Sequence, residues 1–205
     1  MAKMDLKKEY KNLYKAKQGE VSFVEVPKFK YLAIDGEGDP NTSKEYKDSI
    51  EALMSMSYTT KFIMKKEHGK DYVVMPLEGL WWADDITKFS VNDKSTWKWK
   101  SLIMQPDFVK EEHIAQAKEE LAKKKDLPSL DKVEFIELSE GLSAQLLHIG
   151  PYAEEGPTVE KLHNAIEENS YSFNGLHHEI YLSDVRRAKP EKLRTIIRQP
   201  IKIIK

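Results

Sequence analysis

Apolar and polar positions alternate over residues 21–26 (VSFVEV) and, past Pro27, over 30–34; this period-2 signature predicts two short strands. Gly36, Gly38 and Pro40 then break the chain. Ser43 has the chemistry of an N-cap, and Tyr46, Ile50, Leu53, Ser57 and Phe62 fall on one helical stripe behind it. Lys65, Lys66 and His68 before Gly69 mark the end of that helix, while the β-branched pair Thr59-Thr60 weakens its last turns. Strands are expected at 71–76 and 97–104. Further on, 158–169 reads as a helix, Gly175 as a break, and 177–183 and 193–199 as strands. Residues 4–17 form an amphipathic N-terminal helix (Leu6, Tyr10, Leu13, Tyr14), and 106–125 a charged helix joining the two halves.

These elements repeat. Residues 21–38 (VSFVEVPKFKYLAIDGEG) lie over 133–150 (VEFIELSEGLSAQLLHIG) with no gap, sharing Val21/Val133, Phe23/Phe135, Glu25/Glu137 and Gly38/Gly150. SLIMQP at 101–106 matches TIIRQP at 195–200 in the same order. Internal self-similarity of this kind points to duplication. Each half reads as strand, strand, helix, strand, strand, and short strand-to-strand links favour antiparallel pairing, which makes the class α+β. The expectation is one domain over 1–205, with repeats at about 20–106 and 131–200. Two such modules would give two antiparallel sheets, each with a helix on one side, and a cleft between them.

Composition narrows the function. Lys plus Arg number 33 and Asp plus Glu 34, so no long-range field draws in nucleic acid or acidic membranes. Without cysteine there are no disulfides, thiolate metal sites or cysteine nucleophile. The start MAKMDLKKEYKNLYKAK lacks an apolar signal core, and no apolar run approaches the roughly 20 residues of a membrane span. A cytoplasmic protein is expected, with no cofactor, no metal and no membrane partner. Nucleic acid is not an expected partner; a homodimer stays open.

Several motifs fail on inspection. The acidic, Gly-rich stretch DGEGD at 35–39 would need Gly and Glu at the sixth and twelfth positions of a calcium loop, where Pro40 and Tyr46 stand. It is neither a P-loop nor a dinucleotide fingerprint. The six histidines form no HExxH spacing, and no G-x-S-x-G elbow is present. Trp97-Lys98-Trp99-Lys100 fits a strand with Trp on one face and Lys in water better than a nucleic-acid platform.

Three features carry candidate chemistry. MPLEGLWW ends in Trp81 and Trp82, adjacent rings that are costly as open surface. Trp97 and Trp99 share a strand face and, with Trp81 or Trp82, could wall a cleft for a planar ligand; sheet-to-helix core is the competing reading. In HHEIYLSD, Ile180 and Leu182 share one face, and His177, Glu179 and Tyr181 the other. A mid-strand carboxylate is costly unless paired or exposed, so Glu179 is either a solvated sheet residue or a group held for a cation or a proton.

At these residues the sequence resembles the GyrI-like small-molecule-binding family, through KKEYKNLYKAK, VPKFKYLAIDGEGDPN, SYTTKF, MPLEGLWW, HIGPYAEEGPTVEKL and HHEIYLSDVRR. The resemblance implies a pseudo-twofold pair of β-α-β-β modules around a ligand cleft, as in the effector domains of multidrug-responsive activators. It also implies a glutamate on the last module's cleft strand that meets cationic aromatic ligands, here Glu179 with Tyr181 beside it. Some stand-alone members open the cyclopropane ring of DNA-alkylating natural products. On that model Tyr181 or Tyr152 would polarise a carbonyl, Glu179 would activate water, and Trp81, Trp82, Trp97 and Trp99 would stack on the ligand. Tyr152 and His177 complete the expected ligand-binding set. Three functions follow: a binding module for flat aromatic compounds, a hydrolase of strained electrophiles, and a gyrase-inhibitor-like protein-interaction module.

Overall fold

The computed structural model describes residues 3–84 and 94–204. Two short helices, α1 (Leu6–Glu9) and α2 (Lys11–Tyr14), stand where one continuous helix was expected. Tyr10 separates them at φ −102° and ψ 52°, outside helical values. Strands β1 (Ser22–Val26) and β2 (Phe29–Glu37) follow, then the 24-residue helix α3 (Lys44–Glu67). Next come β3 (Leu77–Trp82), β4 (Lys98–Gln105) and α4 (Glu111–Ala122). The second repeat supplies β5 (Glu134–Leu138), β6 (Gly141–Ile149), α5 (Gly156–Glu168), β7 (Tyr171–Phe173), β8 (His177–Tyr181) and β9 (Arg194–Ile203). The bounds of β5 and β6 lie the same 112 residues beyond those of β1 and β2 (22 to 134, 26 to 138, 29 to 141, 37 to 149), as the ungapped repeat requires.

The chain forms two compact units, and neither is one contiguous repeat. Unit 1 (1–9 and 29–138) holds an antiparallel sheet in the order β5-β2-β4-β3. Unit 2 (10–28 and 139–205) holds β1-β6-β9-β8, with β7 also on β9. The first strand of each repeat therefore joins the sheet built on the other repeat, a correction to the expectation of self-contained modules. Local chemistry explains it. A tight hairpin needs positive φ in its central residues. The link Pro27-Lys28 has none, so β1 runs on to another partner; β5 does the same past Ser139-Glu140, although Gly141 at φ 65° follows.

In unit 1, the face of the sheet carrying Trp81, Trp99, Ser101 and Ile103 packs on α3. Ser43 caps α3 by accepting from the Tyr46 amide at 3.1 Å, as its position in the sequence predicts. The buried stripe runs through Ala52, Leu53, Met56, Ile63 and Met64, and Phe62 points outward at 49% exposure. The expected stripe was thus one residue out at its end, and Thr59-Thr60 do not interrupt the helix. The third strand also begins later than expected, at Leu77: residues 73–76 are irregular, and PLEGLWW is itself strand.

Unit 2 has its core on the α5 side of its sheet, where Ala144, Leu146, Leu162, Ile166, Ile197 and Ile201 are all buried. Burying side chains of this size stabilises by roughly 1.5–3 kcal/mol each before entropy is counted. No helix among the described residues is long and apolar enough to cross a membrane.

Candidate functional site

Strand β8 carries the candidate site. Across β9, Glu179 pairs with Ile197 and Tyr181 with Thr195, so both side chains share the sheet face that packs on α5. Glu179 has a side chain only 13% exposed. Its two oxygens meet different donors. Tyr181 donates its hydroxyl to Oε2 at 2.8 Å, and His177 Nε2 lies 3.1 Å from Oε1. A carboxylate accepts only, so both neighbours act as donors and together they fix its orientation.

Tyr152 enters from a 3-10 turn at Tyr152–Glu154, and its ring meets that of Tyr181 edge-on, with centroids 5.5 Å apart. His148 on β6 secures this turn. Its Nε2 lies 3.2 Å from the Pro151 carbonyl, to which it must donate, leaving Nδ1 to accept from Thr158 Oγ1 at 2.9 Å. Burial, followed by the charges of Glu155, Glu179 and Asp184, pushes the Tyr152 phenol up to about 12. The hydroxyl therefore stays protonated, as a donor. Asp184, just past β8, is held down to about 2 by hydrogen bonds from Arg186.

The structure thus gathers Glu179, Tyr181, His177 and Tyr152 in one place in unit 2. The tryptophans lie in unit 1 and divide. Trp99 is fully buried over Gly36 and meets Tyr46 edge-on at 4.9 Å. Trp81 is 5% exposed and lies 5.9 Å from the same Tyr46. Both belong to the packing of the sheet on α3. Trp97 touches Trp81 at 5.7 Å and is partly exposed; Trp82, also partly exposed, points to the opposite sheet face.

Sequence reasoning missed three groups in unit 2. One is His148, whose role depends on the turn it braces. The second is His163 on α5, 4.6 Å from Phe173, its imidazole pushed down by burial and then by the charge of His177. The third is a buried cluster of Glu140, His178 and Arg198 behind β8. The adjacent histidines 177 and 178 were the available signal, since alternation sends them to opposite faces. Among the described residues, no group of three or more His, Asp or Glu is placed to hold a metal ion. A shallow depression on α5, between Pro157, Glu160, Asn164 and Glu168, lies apart from this chemistry.

The model of the GyrI-like small molecule binding domain matches residues 19–202. Among solved structures, a conserved protein from Listeria innocua is 40% identical, with a TM-score of 0.91 over 98% of this chain and 100% of its own. A hydrolase from Listeria innocua is 39% identical, with a TM-score of 0.88 over the same shares. The EcmrR C-terminal domain, 13% identical, shares the fold at a TM-score of 0.55 over 90% of this chain and 98% of that one. No curated protein matches the chain.

Proposed function

The chain belongs to the GyrI-like small molecule binding domain family, and on that premise we propose that it binds flat, mostly apolar or cationic aromatic small molecules, with Glu179 as the polar anchor. The observation that supports this reading is the largely buried Glu179 carboxylate, gripped by Tyr181 and His177 beside the ring of Tyr152. A carboxylate held in partly desolvated surroundings attracts a ligand cation far more strongly than one in water. Ring faces of Tyr152 and Tyr181 add stacking to the burial of a planar ligand. The tryptophans all lie in unit 1, where Trp82 and Trp97 keep partly open rings and Trp81 and Trp99 are committed to α3. Titration with ethidium, a planar aromatic cation, tests the reading. Glu179→Gln should weaken it by about 10-fold or more while sparing a neutral planar analogue. Equal losses for both compounds would remove Glu179 as a charge anchor.

A second reading is favoured by one specific likeness: a protein 39% identical along nearly the whole chain is a hydrolase. Here the ligand is a cyclopropane conjugated to a dienone. Water attacks the ring carbon, a C–O bond forms and the ring C–C bond breaks. The electron pair moves to the dienone oxygen, which becomes a phenolate. Glu179 takes the proton from water, the Tyr152 hydroxyl donates a hydrogen bond to the phenolate, and the proton then passes from Glu179 to the phenolate, giving the phenol product and restoring the start. Tyr181 donates to Glu179, so Tyr152 is the hydroxyl assigned to the carbonyl. Incubation with such a compound should add the mass of one water, at many turnovers per protein, and Glu179→Gln should abolish the change. Recovery of intact compound would leave binding alone.

A further inference from the structure

Behind Glu179, on the reverse face of β8, unit 2 buries three ionisable side chains together. Glu140, in the link between β5 and β6, places Oε1 2.9 Å from His178 Nδ1 and Oε2 3.3 Å from Arg198 Nη1. The side chains of His178, Glu140 and Arg198 are 0%, 4% and 2% exposed. Arg198 also donates from Nε and Nη2 to Gln145 Oε1, at 3.0 and 2.9 Å, and from Nη2 to the Leu13 carbonyl at 2.9 Å. Gln145 Nε2 in turn donates to the Asn12 carbonyl at 2.8 Å. The cluster therefore joins β6, β8 and β9 to α2.

A buried ion pair is a weak source of stability, because apolar residues of the same volume often serve as well or better. What it supplies is fixed geometry. Strand β8 needs that: it has five residues, its register with β9 spans His178 to Tyr181, and exposed segments at 173–176 and 185–187 flank it. A ligand-binding group must be held to about 0.5 Å, by residues themselves locked in place. His178 sits directly opposite Arg198 and next to Glu179 in the chain. We infer that Glu140, His178 and Arg198 are the positioning residues for Glu179: the tie from Glu140 to His178 fixes β8 against β9, and with it the carboxylate that His177 and Tyr181 hold on the opposite face. This inference rests on the ligand-binding reading of Glu179.

The decisive pair of variants is His178→Leu and His178→Asn. Leucine breaks the tie to Glu140 and leaves the Glu140–Arg198 pair in place. Asparagine keeps an N–H donor close to the place of Nδ1. His178→Leu should weaken ethidium binding by about tenfold, His178→Asn by no more than about twofold, and the leucine effect should vanish in a Glu179→Gln background. A merely structural role would lower the melting temperature without that dependence on Glu179. Equal affinities for the two variants, or an undiminished leucine effect in the Glu179→Gln background, would overturn the inference. Should His178→Leu fail to fold, Glu140→Gln takes its place in the same cycle, with the same two outcomes. If the wild-type protein does not bind ethidium, the ligand reading fails, and carbon-13 NMR titration of the Glu179 carboxylate decides positioning by itself. A midpoint that moves in His178→Leu and stays put in His178→Asn supports it; an unmoved midpoint in both overturns it.

Discussion

Replacing Glu140 by Gln keeps the shape of the side chain and removes one buried charge. Burial by itself would raise the Glu140 carboxyl; the charge and hydrogen bond of His178, then those of Arg198, overcome that and hold it at about 2. An unfolded chain would titrate the same group near its ordinary 4.5. The gap corresponds to about 3 kcal/mol at roughly 1.4 kcal/mol per tenfold change. The folded value is the depressed one, so this stability is fully present above pH 4.5 and is lost as the pH falls toward 2. By pH 3 about 60% of it has gone. Glu140→Gln should therefore be about 3 kcal/mol less stable than wild type at pH 7, within the 3–5 kcal/mol range for breaking a buried pair. Urea unfolding followed by tryptophan fluorescence at pH 7, 5, 4 and 3 measures the difference. Carboxylates outside the cluster, such as Asp71 and Asp184, titrate alike in both proteins and cancel. The two stability curves should converge below pH 4.5. A wild-type advantage as large at pH 3 as at pH 7 would refute the reasoning, since the lost interaction would then not depend on the ionised carboxylate.

Two further predictions test the packing of unit 1. A Cβ added at Gly36 would lie 2.2 Å from Trp99 Cζ2, and Trp99 is fully buried with no room to retreat, so Gly36→Ala should cost about 1–3 kcal/mol by thermal unfolding. A Trp99→Phe change should then cost less in the Gly36→Ala background than alone, because the two residues share one contact. On α3, Ile63→Ala should cost about 2–5 kcal/mol and Phe62→Ala less than about 0.5 kcal/mol, since Ile63 is 3% exposed and Phe62 49%; equal costs would misplace the buried face of the helix.

How much of this was legible depends on how local each feature is. The strands at 22–26 and 29–37, the Ser43 cap and the end of α3 at Glu67 follow from neighbours a few residues away and stand close to where the pattern puts them, whereas β3 begins six residues later than expected. Strand pairing is different. Alternation says which side chains share a face, not which strand lies alongside, so nothing in VSFVEV or VEFIEL shows that each completes the other repeat's sheet. The same limit governs the tryptophans. Period 2 correctly sets Trp97 and Trp99 on one face, but that face is core because the register of β2 on β4 brings Gly36 opposite Trp99. Only a residue without Cβ leaves room for the indole there, and a glycine 63 positions away carries no local sign of that duty.

At the candidate site the limit is sharper still. His177, Glu179 and Tyr181 lie two residues apart on one strand, and their alternation was readable before any pairing was known. Tyr152 reaches Tyr181 only through a turn fixed by His148 and Thr158, and Glu140 reaches His178 and Arg198 across 38 and 58 residues of chain. HHEIY therefore encodes two things at once. Its odd-numbered residues form the polar group proposed to meet a ligand. His178 between them faces the other way, into the buried cluster. On the inferred positioning role, a substitution at His178 acts on Glu179 through the strand itself, and the Leu and Asn variants separate geometry from stability.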